Sequence, residues 1–293
     1  MPMFDKALAI FSNLNYTYIA IISAFFAAVA NIAARALLKE AKSYNIMGLS
    51  FLMIGSSMLI FSPIFYFFNP TWTAIGLLYL IGIIDATANY FYFKSFEKSE
   101  AGVATSLLAL APAITFIGSF VFLGTETSFI KVIFSICIML GIIFLSTDIK
   151  NIKKSFHTSL FAPLMACLLF GLSSIPSKFL LSNLTAINAP TLYMFRATII
   201  GMISFIFMRP NLQSLTTQLY KLIWLQGFLA IIQWVLLYFA LSKGNPGITM
   251  TLANVSPVFT VFLGYLFLKE RITKRKVTSA ILIFTFSILI IFL

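Results

Sequence analysis

Residues 102–131 read GVATSLLALAPAITFIGSFVFLGTETSFIK, and residues 247–276 read GITMTLANVSPVFTVFLGYLFLKERITKRK. Laid one on the other without a gap, they pair Gly102 with Gly247, Leu107 with Leu252, Pro112 with Pro257 and Thr115 with Thr260. Phe122 then meets Phe267, Leu123 meets Leu268, and Lys131 meets Lys276. Each stretch holds an apolar run long enough to cross a hydrocarbon core of about 30 Å as a helix. The paired prolines sit at one depth of the two runs, so the match carries more than shared composition. A similar offset sets Arg35 on Lys178, each late in the first long apolar run of its half. Self-similarity at this spacing points to a duplicated chain.

Outward from these stretches the same pattern continues. Long apolar runs fall at Tyr18–Leu38, Ile46–Phe68, Trp72–Phe93, Ala101–Leu123 and Ile130–Thr147 in the first half. The second half has Ser159–Leu181, Thr191–Met208, Leu222–Leu241, Gly247–Leu268 and Val277–Leu293. Short loops with turn residues separate them, among them Asn69-Pro70, Gly124, Asn188 to Pro190, Pro210-Asn211 and Gly244-Asn245-Pro246. Charged residues make up only 10% of the chain, against about a quarter in a soluble protein. Backbone in lipid must satisfy its own hydrogen bonds, and period-2 alternation is absent, so the runs are expected to be helices rather than barrel strands. The expected fold is an all-α integral membrane protein of ten transmembrane helices in two five-helix repeats. The first repeat is 16–148, a polar linker follows at 149–158, and the second repeat is 159–293. An odd number of crossings per half inverts the second repeat relative to the first. Inverted repeats in secondary transporters place the substrate site at their interface, near the bilayer midplane.

The net charge of +12 comes from basic residues in short loops, without the arm or stripe that would grip a nucleic acid. The loops after the odd-numbered spans hold Lys39, Lys42, Lys94, Lys150, Lys153, Lys154, Arg209 and Lys269 to Lys276. The opposite side holds little beyond Lys6, Lys131 and Lys243, so the charge count puts both termini outside. Met1–Asn15 lacks a clean cleavage site, and the expectation there is an interfacial turn rather than a cleaved signal peptide. One histidine, His157, and two cysteines in apolar runs, Cys137 and Cys167, offer no metal cluster. No metal and no cofactor are expected.

Several motifs make the chain resemble a known family. They are SEAGVATSLL at 99–108 leading to LAP at 110–112, and SKGNPGIT at 242–249 leading to VSP at 255–257 and GYLFLKERIT at 264–273. YMFR at 193–196 is another. These resemble the drug/metabolite transporter superfamily in its ten-helix form with two EamA-type repeats. The family's Trp-Gly pair in the first span is replaced by AAVAN at 27–31, and Met53 stands where an arginine like Arg196 would align. The resemblance implies a multi-pass protein of a bacterial plasma membrane that exports or exchanges amino acids, nucleotide-like metabolites, nucleotide-linked sugars or toxic organic compounds. It also implies cytoplasmic termini, which opposes the charge count, and orientation stays open.

Mid-span polar residues are the candidates for a substrate cavity, because a charge at mid-membrane costs at least about 2.5–3.5 kcal/mol. Asp85 is the acidic residue at clear midplane depth. It fits a proton- or cation-sensitive site, or equally a structural ion pair with Arg196 or Arg35. Asn89, Tyr92 and Phe96 follow Asp85 along one helical stripe, which is expected to face the cavity. Asn31 is one turn before Arg35, and both Arg35 and Lys178 are near enough to span ends to snorkel. Arg196 suits an anion contact or an ion pair. Gln226 and Gln233 share a face of the eighth span beside the aromatic stripe of Trp234 and Tyr238, and Asn254 is the last mid-depth amide. Pro112 and Pro257 break the hydrogen-bond ladders of the fourth and ninth spans and are candidate hinges. The expected partners are a small-molecule substrate, the lipid bilayer, and a coupling proton or counter-substrate. A lipid or lipid-linked-sugar flippase is the alternative. No HExxH, GxSxG or pair of mid-span aspartates is present, so an intramembrane enzyme is not expected.

Overall fold

Asparagine and threonine side chains start four of the helices. Asn15 accepts from the backbone of Thr17 at 3.1 Å, Asn188 from Thr191 at 3.0 Å, Thr216 from Leu219 at 3.3 Å and Asn245 from Ile248 at 3.3 Å. Each bond satisfies an amide that the first helical turn leaves unpaired. Pro190 and Pro246 occupy first-turn positions, where a missing N–H costs nothing. Two of the turns between the apolar runs, at Asn188 and Asn245, thus supply helix caps.

The computed structural model describes residues 14–98, 108, 111–125, 128–146, 161–211, 215–268 and 273–292. The first half contains α1 (Tyr16–Glu40), α2 (Ser43–Phe65), α3 (Trp72–Lys98), α4 (Ala111–Leu123) and α5 (Phe129–Ser146). The second contains α6 (Phe161–Lys178) with a π turn at Phe179–Asn183, α7 (Ala189–Met208) and α8 (Thr217–Lys243). It closes with α9 (Pro246–Ala253), α10 (Ser256–Leu268) and α11 (Lys274–Phe292). The expected linker at 149–158 and the expected interfacial turn before Asn13 lie outside the described residues.

Among the described residues, seven stretches are long and apolar enough to cross a membrane, with α9 and α10 taken as one and the π turn joined to α6. Helices α4, α5 and α11 are apolar and shorter among the described residues. Residues 101–107, 109 and 110 of the expected fourth span are outside them. The expected ninth span, Gly247–Leu268, is interrupted by a two-residue turn at Asn254–Val255. It stops at Ala253 and restarts at Ser256, and Pro257 sits in the first turn of α10. Pro257 has no N–H to give to the carbonyl of Ala253, which is the physical reason for the interruption there.

The helices pack chiefly as α1 on α8, α2 on α7, α3 on α6 and α5 on α11, with α3 also on α7 and α1 on α9 and α10. Helix α1 turns seven alanines inward, including Ala24, Ala28 and Ala34, so α8 approaches closely. At the α2–α7 contact the closeness comes from glycine. A Cβ on Gly201 would stand 2.7 Å from the backbone nitrogen of Leu52, and one on Gly48 would stand 3.0 Å from that of Phe205. Outward faces carry Phe61, Trp72, Phe120, Phe207 and Phe267, with Trp72 90% exposed. An apolar belt of this extent on helices of spanning length is the surface of a multi-pass membrane protein.

The connections also pair. The loop after α2 meets the loop before α7 through an antiparallel bridge between Phe68 and Ile187 and a bond from Asn69 N–H to the Ala186 carbonyl at 2.8 Å. Asn188 donates to the Phe65 carbonyl at 2.7 Å. Between the opposite ends of the same helices, Asn211 N–H donates to the Asn45 side chain at 3.0 Å.

Candidate functional site

A cavity of about 130 Å3 opens among α1, α2, α3, α6, α7, α8 and the α9–α10 break. Most lining residues are well inside their helices, as Asn31 is in α1, Ile54 in α2 and Ala230 in α8. The turn at Asn254–Val255 brings irregular backbone to the cavity, and such backbone is tolerated inside a membrane protein where it borders one.

Seven of the expected cavity residues line this space: Asn31, Asn89, Tyr92, Gln226, Gln233, Trp234 and Asn254. Most of the polar ones are held on one side by the protein. The Tyr92 hydroxyl bonds to Asn31 Oδ1 from α3 to α1. Asn89 donates to the Asp85 carbonyl at 2.8 Å, and Asn254 donates to the Met250 carbonyl at 2.8 Å. Ser50 of α2 donates to Gln226 Oε1 of α8 at 2.9 Å. Ser23 of α1 donates to the backbone carbonyl of Gln233 at 2.9 Å. Pro257 also lines the cavity, and Pro112 of α4 does not.

Three expected cavity residues, Asp85, Arg196 and Tyr238, do not reach it. Asp85 is fully buried and forms an ion pair with Arg196 of α7, itself 2% exposed. Arg196 also donates to the Tyr238 hydroxyl. Its guanidinium carbon lies 3.8 Å from the centre of the Trp234 ring. The polar stripe of α3 therefore divides. Asp85 turns to α7, where a charge finds its counter-charge, and Asn89 and Tyr92 reach the cavity one and two turns later. The side chain of Phe96 is outside the described residues.

Lys178 does not snorkel. Its ammonium donates to the carbonyls of Leu241, Ser242 and Gly244 at 2.8, 3.2 and 2.9 Å. Those carbonyls close the C-terminus of α8, where unpaired oxygens and the helix dipole favour a cation.

The sequence reading missed Tyr193, Phe170 and Ser23. Tyr193 lies nearly parallel to Trp234, at 14° and 6.2 Å between ring centres, and Phe170 contacts both Trp234 and Tyr92 at 6.1 Å. Tyr193 is one helical turn before Arg196, so that spacing was a usable signal. Phe170 is one of 33 phenylalanines and carried none.

A second, apolar groove of about 270 Å3 lies between α2 and α8, lined by Met53, Met58, Phe61, Trp224 and Phe228. Phe61, Trp224 and Phe228 are each more than half exposed, so the groove faces the lipid side. Ile54 belongs to the wall of both spaces.

Comparison with known proteins gives the family. A stretch of 59 residues is 39% identical to an uncharacterized protein of Methanocaldococcus jannaschii, covering 20% of this chain and 43% of that protein. The chain thus spans less than half the length of this curated relative. A protein known from a crystal structure superposes with a TM-score of 0.71 over 93% of this chain and 96% of its own, at 12% identity, which shows a shared fold. The model of the EamA-like transporter family matches twice, at residues 15–147 and 157–292. The protein is a multi-pass membrane protein that belongs to the EamA-like transporter family, within the drug/metabolite transporter superfamily.

Proposed function

We propose that the protein is a secondary carrier that moves a small organic solute, such as an amino acid or nucleotide-like compound, by alternating access. The solute site is the cavity lined by Asn31, Asn89, Tyr92, Gln226, Gln233, Trp234 and Asn254. The two halves, 16–148 and 159–293, are five-helix repeats of inverted sense, which makes ten crossings. One observation carries this reading: exchanging the halves maps the helix pairings onto themselves. The α1–α8 contact becomes α6–α3, α3–α7 becomes α8–α2, and α2–α7 and α5–α11 stay in place. The loop contacts fit the same exchange, since the bridge between the loops after α2 and before α7 has its counterpart at the other end, where Asn211 after α7 meets Asn45 at the start of α2. A bundle with two equivalent ways to close can open to either side in turn, and binding shifts its population without covalent chemistry. The break at Asn254–Val255 beside Pro257 is the hinge, with Pro112 as its counterpart. The membrane is a bacterial plasma membrane, and a proton or counter-substrate supplies the drive.

Counterflow in liposomes tests this. The purified protein should exchange at least one labelled amino acid, nucleoside or nucleotide derivative, and Gln233→Leu should stop it. Exchange no faster than in protein-free liposomes across the whole panel sinks the reading.

A flippase is the second reading, and the apolar groove between α2 and α8 favours it. Among the described residues, Ile54 alone is common to that groove and the cavity. A flippase would scramble a labelled lipid in the same liposomes, and a carrier of soluble solutes would not.

A further inference from the structure

Among the described residues, five carboxamides reach the cavity: Asn31, Asn89, Gln226, Gln233 and Asn254. In four of them the fold occupies one half and leaves the other. Asn31 and Gln226 accept through their oxygens, from Tyr92 and Ser50, and keep N–H donors. Asn89 and Asn254 donate to backbone carbonyls and keep acceptor oxygens. The Gln233 side chain has no hydrogen-bond partner among the described residues and keeps both. The wall therefore offers donors and acceptors in near-equal measure.

No charged side chain lines the cavity among the described residues. Residues 101–110, most of them outside the described set, contain no charged residue in the sequence. Of the charges set within the spans, Asp85 and Arg196 neutralise each other and Lys178 is spent on three carbonyls. Arg35 is outside the cavity wall. A solute of net charge entering here would lose its hydration and meet no counter-charge, which is strongly unfavourable. For a cation, an aromatic face returns less than the hydration shell it gives up, and the Trp234 face, the strongest of them, is already covered by the Arg196 guanidinium at 3.8 Å. Anions meet no free counter-charge in Arg196, which is outside the cavity wall and is neutralised by Asp85.

Flat surfaces remain available, because Tyr92, Phe170, Tyr193 and Trp234 all border the space. We propose that the cavity selects an uncharged, flat solute with an amide-type edge that both donates and accepts, and rejects solutes of net charge. The proposal rests on the cavity being the solute site and narrows what that site takes.

Three ring compounds of one size separate the cases: nicotinamide is neutral, nicotinate is an anion and 1-methylnicotinamide is a cation. Trp234 is the reporter once Trp72 and Trp224, both on the outer surface, are replaced by Phe. Nicotinamide should change the emission saturably, and the two charged rings should bind at least about tenfold more weakly. Gln233→Glu supplies a carboxylate and should invert the order in favour of 1-methylnicotinamide, a gain that misfolding cannot imitate. Equal or tighter binding of nicotinate or 1-methylnicotinamide by the parent protein overturns the proposal, and so does failure of all three to bind. Liposome counterflow keeps the two readings apart. Exchange of a charged solute, blocked by Asn89→Leu, removes the selectivity and leaves the carrier standing. No exchange of any solute removes both.

Discussion

Replacing Asp85 by Leu strands the guanidinium of Arg196, which is 2% exposed, with no counter-charge. Breaking a buried ion pair from one side costs about 3–5 kcal/mol, because the remaining charge stays desolvated. Arg196→Leu should cost a similar amount, since it strands a carboxylate at 0% exposure. Removing both charges is a different case. What is lost is the Arg196 bond to the Tyr238 hydroxyl, worth about 1.5–3 kcal/mol, together with the guanidinium contact on Trp234, worth about 0.5–2 kcal/mol. Asp85→Leu combined with Arg196→Leu should therefore be no less stable than the worse single variant, and far more stable than the two costs added. Thermal unfolding in detergent, followed by circular dichroism, gives the comparison. Each single variant should lose on the order of ten degrees, taking about 2–4 °C per kcal/mol for a chain of this class. A double variant whose loss equals the sum of the singles would show that the two residues act independently, and the ion-pair argument would fail. Single losses under about 1 kcal/mol, the range of an exposed pair, would also defeat it.

Lys178→Met removes three bonds from the end of α8 and should expose its last carbonyls; hydrogen exchange at residues 242–244 should accelerate, with about 1–3 kcal/mol lost, and unchanged exchange rates would deny the capping role. Gly201→Ala places a Cβ 2.7 Å from the Leu52 nitrogen and should cost about 1–3 kcal/mol by forcing α2 off α7; an unfolding temperature equal to the parent's would mean that this contact is looser than described.

Much of the fold was legible because its signals are local. A run of apolar residues is its own evidence for a helix in lipid, and cap residues such as Asn188 and Asn245 mark where one begins. The duplication was legible because two halves that pack alike keep alike positions, as Pro112 and Pro257 do. The break in the ninth span was half legible. Pro257 announced a disturbed ladder, but whether the helix bends or stops depends on what packs around Asn254, and that is not local information.

The site was legible only as a set of polar residues, and the sorting within the set required a third dimension. Asp85 and Asn89 share a helical stripe, and spacing alone assigns them one environment. Their environments differ because α7 presents Arg196 beside Asp85 and nothing charged beside Asn89. In low dielectric a charge is held where a counter-charge meets it, and a carboxamide is held wherever one half of it is satisfied. Ion pairing therefore withdraws Asp85, Arg196 and Tyr238 into a layer behind Trp234, and the carboxamides remain at the surface of the cavity. The same sorting that hid the charges from the cavity leaves it polar without being charged. The Gln233→Glu variant described above puts a charge back into that space, and a changed ligand order in it would connect the packing of one layer to the chemistry of the next.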